Sequence, residues 1–283
     1  MPHRMGQRDV LTSTLAGSSV TTATAVTTAR AAHPTVTIGR AQLACVSMSE
    51  AVDRVLELAA EPRAALVVTA NSDHIVKLET DDALLAAYRA ADLAVIDGQP
   101  LLWASKLTPS PAPERVAGVD LFTALCDRED ADVSLFLLGG SAANNAAAAR
   151  VVAESSPHVR IVGRNTDRLT DRTSPAIIEQ IRDSGATIVA VFLGCPKQET
   201  WVHQHRHVLP PGAYLCLGGA VDIISGSLPR ASKVWQRLGL EWLHRLVLEP
   251  KRLWRRYLVD DPKFALVAAR SIRDSRRAHR LAG

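Results

Sequence analysis

The stretch Ile188-Val189-Ala190-Val191-Phe192-Leu193-Gly194-Cys195-Pro196-Lys197-Gln198-Glu199-Thr200-Trp201 decides the fold. Its first six residues form a short, unbroken apolar run rich in branched side chains, which predicts a strand buried on both faces of a parallel sheet. Gly194 ends the run, and Pro196 suits the first turn of a helix. Lys197, Gln198 and Glu199 are therefore expected at a helix N-terminus just beyond a strand's carboxyl end, where open α/β sheets place their ligands. An ordinary strand-to-helix turn with solvated polar residues would read the same way, so the rest of the chain has to choose.

The same alternation runs through most of the sequence. A hairpin is expected at Thr35–Ile38 and Gln42–Cys45, and Ser47 with Glu50 makes a capping box for a helix to about Ala60. Strands follow at Ala64–Thr69, Leu93–Ile96, Val133–Leu138, Val159–Val162, Thr187–Leu193 and Ala213–Leu217, with helical patterns between them. Strand-helix alternation predicts a Rossmann-like α/β fold, a parallel sheet flanked by helices. Asn71, Asp97, Gly139-Gly140, Gly194 and Gly218-Gly219 all fall at predicted carboxyl ends, so they should meet along one edge.

Composition bounds what such a chain can do. Its 283 residues are 47% hydrophobic, enough for one large core with an appendage. No window approaches the roughly 20 apolar residues that span a bilayer. Residues 1–34 are mostly Ser, Thr, Ala and Gly and lack the apolar block of about 7–15 residues that a signal peptide needs, so a disordered leader is expected. Cys45, Cys126, Cys195 and Cys216 sit in apolar surroundings without metal-ligand spacing and read as reduced thiols, which suits a cytoplasmic protein. The net charge of +4 is uneven: residues 228–283 hold 14 Lys+Arg against 5 Asp+Glu, a balance of +9, which leaves −5 for the rest. An acidic-leaning core over 35–227 followed by a basic helical appendage points to an anionic partner for the appendage. Trp235, Leu238 and Trp242 make one apolar stripe there, and Arg252, Arg255 and Arg256 interleave with Leu253, Trp254 and Tyr257, as in helices that lie at a membrane surface. Packing against the core would use the same tryptophans.

Several motifs carry a resemblance. Pro196-Lys197-Gln198-Glu199 with Trp201 is joined by Thr69-Ala70-Asn71, by Asp92 to Pro100, and by Glu114-Arg115-Val116-Ala117-Gly118-Val119-Asp120-Leu121. Gly218-Gly219-Ala220-Val221-Asp222, Gly226, Pro229-Arg230-Ala231, Gly239 to Leu246 and Glu249 to Tyr257 follow in order. From about Val36 to Phe264 the chain resembles the WecG/TagA/CpsF glycosyltransferases. The resemblance implies an inverting, metal-independent enzyme that moves a hexose unit, often N-acetylmannosamine, from a UDP-sugar to a polyprenyl-diphosphate-linked sugar for surface polysaccharide. It implies no cofactor beyond the sugar nucleotide and a place on the cytoplasmic face of the membrane; self-association into a homo-oligomer is left open.

Asp97 ends an apolar strand and precedes Gly98, so its carboxylate should face the cleft with little bulk beside it; capping of the next helix is the plain alternative. The family's catalytic base falls at this position. Thr69 and Asn71 offer a hydroxyl and an amide at the sheet edge, suited to an acceptor sugar. Arg115 and Gln198 lie in matched motifs and are expected to hold substrates, and Asp222 to accept from a uracil or ribose. Arg245, Arg252 and Arg255 match the family's functional tail positions and would neutralise the leaving diphosphate, since no Asp-x-Asp pair follows a strand to bind a metal there. The His203, His205 and His207 trio is expected to be helix surface rather than a metal site. Gly139-Gly140-Ser141 lacks a full G-x-G-x-x-G, which counts against the rival reading of a nucleotide-binding oxidoreductase. The other rival, a non-catalytic membrane scaffold, would explain the basic tail but not the strand-end residues. No nucleic-acid recognition motif accompanies the basic tail. Relative to the family, Ala70 stands for the usual proline, Gln99 occupies a variable position, and Gly163–Arg168 lacks a common aromatic.

Overall fold

A computed structural model describes residues 33–232, 235, 240–255 and 261–282, without the side chains of Arg252, Leu253, Arg255, Asp261 and Ala282. The expected leader, except for its last two residues, and Leu238 of the tryptophan stripe lie outside the described residues. The hairpin β1 (Thr35–Ile38) and β2 (Ala41–Ala44) precedes α1 (Met48–Ala59), whose Ser47–Glu50 capping box is formed. Then come β3 (Ala64–Ala70), α2 (Ser72–Leu78), α3 (Asp82–Arg89), β4 (Leu93–Ile96), α4 (Gln99–Lys106) and α5 (Gly118–Cys126). Next are β5 (Ser134–Gly139), α6 (Ala142–Ser155), β6 (Arg160–Asn165), α7 (Ser174–Ser184), β7 (Ile188–Phe192), α8 (Lys197–His205), β8 (Gly212–Cys216) and α9 (Ala220–Ile224). The chain closes with α10 (Glu241–Leu248), α11 (Pro250–Arg255) and α12 (Asp261–Ala282). Each predicted strand is present within a few residues of its expected bounds.

Strands β3 to β8 form one parallel sheet in the order β4-β3-β8-β7-β5-β6. Side chains alternate across it, so each inner strand feeds two cores: Leu66 and Val68 of β3 face one, Ala65 and Val67 the other. The first core is covered by α2, α3, α4, α7, α8 and α12, the second by α1, α5, α6 and α9. That division creates a crevice. The chain leaves β3 and β7 towards the first face but leaves β8, which lies between them, towards the second. Where neighbouring strands send the chain opposite ways, the sheet edge is left open.

The basic C-terminal segment behaves in two ways. In α12, Phe264, Val267 and Ala268 are buried in the first core, Ser271 Oγ accepts from the N–H of Gly39 at 2.7 Å, and Arg276 Nε donates to the Leu107 carbonyl at 2.8 Å. A Cβ on Gly39 would meet Val267 at 2.9 Å, so this helix packs tightly against the hairpin. By contrast, none of the described residues of α10 is buried.

Candidate active site

The carboxyl ends of β3, β4, β7 and β8 open into a cleft of about 800 Å³. Two of its walls come close because one residue is glycine: a Cβ on Gly98, after β4, would stand 3.3 Å from the Cβ of Asn71, after β3. The N–H groups of Asp97 and Gly98 both reach the carbonyl of Ala70, at 2.8 and 3.3 Å. Asn71 caps α2, its Oδ1 accepting from the N–H of His74 at 3.3 Å, and Thr69 donates its hydroxyl to the Cys216 carbonyl at 3.0 Å. Thr69, Asn71 and Asp97 thus share one rim of the cleft, as the sequence predicts.

Asp97 is partly buried, and burial pushes its carboxyl up to about 6. Arg115 opposes that shift, Glu241 adds to it, and Arg245 and the backbone N–H of Gly118 at the start of α5 oppose it. A carboxylate raised to this range and open to a cleft is suited to accept a proton near neutral pH.

Gln198 has a bracing role. It is buried, and its Oε1 accepts from the N–H of Gly194 at 3.2 Å and from that of Gly218 at 2.9 Å. Both glycines have positive φ, 77° and 54°, which other residues rarely adopt. One side-chain oxygen therefore ties together the exits of β7 and β8. The amide nitrogen of Gln198 donates to Glu199 at 2.7 Å, and burial raises the fully buried Glu199 carboxyl.

The opposite wall is built from paired charges that join α10 and the segment before it to residues near the start of α5. Arg115 reaches the Glu241 carboxylate of α10 at 2.8 Å, while Arg230 pairs with Asp120 at 2.6 Å. Trp242 and Arg245 of the same helix line the cleft beside Pro262 and Phe264 of α12. Glu114, the neighbour of Arg115, turns away and accepts from the Met48 N–H at the start of α1, so the Glu-Arg pair is split between bracing and site.

Other expected residues are placed differently. Asp222 is not among the described residues lining the cleft; its carboxylate accepts from Asn144 of α6 at 2.7 Å. Gly139 and Gly140 do share the sheet's carboxyl edge at the end of β5, beside Phe192 of β7, but they are not among the described residues lining the cleft. Val221 packs over Gly140, where a Cβ would come within 3.0 Å, so that turn serves packing rather than a ligand. The backbone carrying Arg252 and Arg255 is helical, and their side chains lie outside the described residues. The Gly163–Arg168 segment begins in edge strand β6, away from the cleft, and Gly163 is set against the Phe136 ring. Of the α8 histidines, His205 bonds the Trp201 carbonyl at 2.9 Å. Lys77, Arg230 and Glu241 also line the cleft; the last two lie in the quoted motifs but none of the three was given a role from the sequence. Lys77 had a readable signal: it lies at i+4 from Asp73, with which it pairs at 2.8 Å, on the helix capped by Asn71.

A parallel sheet opening onto an acid poised between arginines suits group transfer, and comparison with known proteins supplies the class. Residues 36–278 match the model of the glycosyl transferase WecG/TagA/CpsF family, and the chain belongs to that family. It is similar to an N-acetylglucosaminyldiphosphoundecaprenol N-acetyl-beta-D-mannosaminyltransferase of Bacillus spizizenii (strain ATCC 23059 / NRRL B-14472 / W23), with 33% identity over 218 residues, 77% of this chain and 83% of that protein.

Proposed function

We propose that this glycosyltransferase moves an N-acetylmannosamine-type hexose from UDP to a hydroxyl of a polyprenyl-diphosphate-linked N-acetylglucosamine, with inversion, in surface polysaccharide synthesis. The acceptor and sugar are those in the name of the Bacillus spizizenii relative. The observation that carries the reading is Asp97, raised to about 6 and flanked by Arg115 and Arg245. Its carboxylate takes the acceptor's hydroxyl proton as the oxygen attacks the anomeric carbon. The bond from that carbon to the diphosphate oxygen breaks on the opposite face, and UDP leaves with the electron pair. Negative charge grows on the diphosphate in this step, and Arg245, with Arg252 and Arg255 of the same segment, neutralises it in place of a metal. Thr69 and Asn71 orient the acceptor, Arg115 contributes to substrate holding, and Gln198 keeps the glycine turns shaped for the sugar nucleotide.

The basic segment 228–283 docks on an anionic membrane surface, where a lipid-linked acceptor resides. Support comes from its balance of +9 and from the exposure of Trp235, Trp242 and Trp254. No described helix is long and apolar enough to cross a membrane. The test is a donor screen with a short-chain lipid-linked acceptor, reading product by mass. Transfer from UDP-N-acetylmannosamine supports the reading, and transfer only from other nucleotide sugars replaces the proposed donor.

A further inference from the structure

Beneath the cleft floor three side chains from separate elements converge. His74 comes from α2, Cys195 from the turn after β7, and Glu199 from the first turn of α8, and their ligand atoms all lie within 4.8 Å of one another. None of the three takes part in the transfer step proposed above. Sequence spacing hides the group, because 121 residues separate His74 from Cys195.

We propose that His74, Cys195 and Glu199 form a site for a divalent ion of the zinc class. The first support is a buried acid. Glu199 is fully buried; one carboxylate oxygen accepts from Gln198 at 2.7 Å, the other meets no geometric hydrogen-bond partner among the described residues, and the Cys195 thiol is the further polar group that stabilises the carboxylate. A buried, unpartnered carboxylate oxygen is costly, and a bound cation removes that cost. The neighbouring ammonium of Lys77 is committed elsewhere, to Asp73 at 2.8 Å and to the Cys195 carbonyl at 3.3 Å.

The second support is the outer shell. His74 is buried, and its Nδ1 lies 2.7 Å from the Tyr88 hydroxyl, so Nε2 is the nitrogen an ion would take. Metal-bound histidines use their other ring nitrogen in this way. A thiolate and a carboxylate balance a 2+ ion, and a sulfur–nitrogen–oxygen set favours zinc over magnesium or calcium, which prefer oxygen. Ligand atoms around a tetrahedral zinc stand about 3.5 Å apart, so the widest separation here must close by about 1 Å. Cys195, half-buried on a turn, has room to supply that movement. His74 and Cys195 also line the cleft, so an ion held here would lie beside it.

The ion would act as a clip under the site. It would fix Glu199, which holds Gln198, which in turn holds the Gly194 and Gly218 turns. It is not the diphosphate's counter-charge, and the inference stands whether or not the donor and acceptor above are right.

Cobalt makes the site visible without an activity assay. Full-length protein, stripped with a chelator and checked for retained fold by circular dichroism, is titrated with Co²⁺. The expected result is about one tightly held equivalent showing tetrahedral visible bands and a thiolate-to-cobalt charge-transfer band, both displaced by Zn²⁺. Cys195→Ser should remove the charge-transfer band, whereas Cys126→Ala should leave it. Tyr88→Phe should weaken binding by about 10–100-fold. Glu199→Gln should weaken it further, and if that variant fails to fold, Cys195→Ser carries the test. Absence of the charge-transfer band in the wild type, or its persistence in Cys195→Ser, overturns the site.

Discussion

Helices α10 and α12 belong to the same basic stretch of sequence and do opposite things. The longer, α12, buries Phe264, Val267 and Ala268 and bonds to the hairpin and to the end of α4. The shorter, α10, buries nothing and touches the site through Glu241, Trp242 and Arg245. Net charge alone does not separate a docking element from a core element; the partner of the apolar stripe does. The membrane-facing role proposed for 228–283 therefore falls on its first part and on the outer face of α12, whose inner face belongs to the fold.

Removing everything after Leu228 gives the largest effect. It strips α12 from Ile75, Leu78 and the hairpin, so the truncated chain should be insoluble or lack cooperative unfolding when followed by circular dichroism. A soluble, cooperatively folding remnant would show that α12 is an appendage after all. Next comes Arg252→Ala in the intact chain, which should lower transfer by about 10²–10³-fold with an unchanged melting midpoint, the usual worth of a group that stabilises developing charge. Added magnesium or manganese should not raise wild-type transfer; a strong dependence on either would put a metal where the arginines stand.

Smaller effects sharpen the contrast between the two helices. Phe264→Ala should destabilise by about 3 kcal/mol, as loss of a buried aromatic does, while Trp254→Ala, at an exposed site, should change stability by less than about 0.5 kcal/mol. Only Trp254→Ala should weaken binding to anionic vesicles, and equal destabilisation by both would erase the distinction. The smallest effect on transfer is expected of Glu241→Gln. It removes the partner of Arg115, and because the pair is largely buried the loss should lower stability by about 1 kcal/mol or somewhat more. Because Glu241 also raises Asp97, the acidic limb of the pH–rate profile should shift to lower pH in this variant.

Much of this was legible in the sequence because it is local. The apolar run Ile188–Phe192, the Gly194 turn, the Ser47–Glu50 box and Asp97 with Gly98 depend on neighbours a few residues away. What could not be read was partnership across the chain. Nothing near Arg115 announces Glu241, nothing near Gly140 announces Val221, and Asp222 meets Asn144 only because α9 packs on α6. One signal was present but ambiguous. Phe264, Val267, Ala268 and Ser271 recur at helical spacing, yet such a stripe fits a lipid surface as well as a protein core.

The most direct test of Asp97 as the base is the pH dependence of kcat/KM for transfer, measured with wild type and with Asp97→Asn. The wild-type profile should rise with pH through about 6, because the base must lose its proton and burial holds that proton more tightly than the usual 3.8. Asp97→Asn should cut transfer by about 10²–10⁴-fold, lose that limb and still bind UDP. The sign of the stability effect is also fixed. A carboxyl with a raised folded pKa costs nothing at low pH and destabilises as pH climbs through the window from 3.8 to about 6, so Asp97→Asn should melt higher than wild type at pH 7.5 but not at pH 3.5. Near-normal turnover in Asp97→Asn, with the acidic limb intact, would contradict the account.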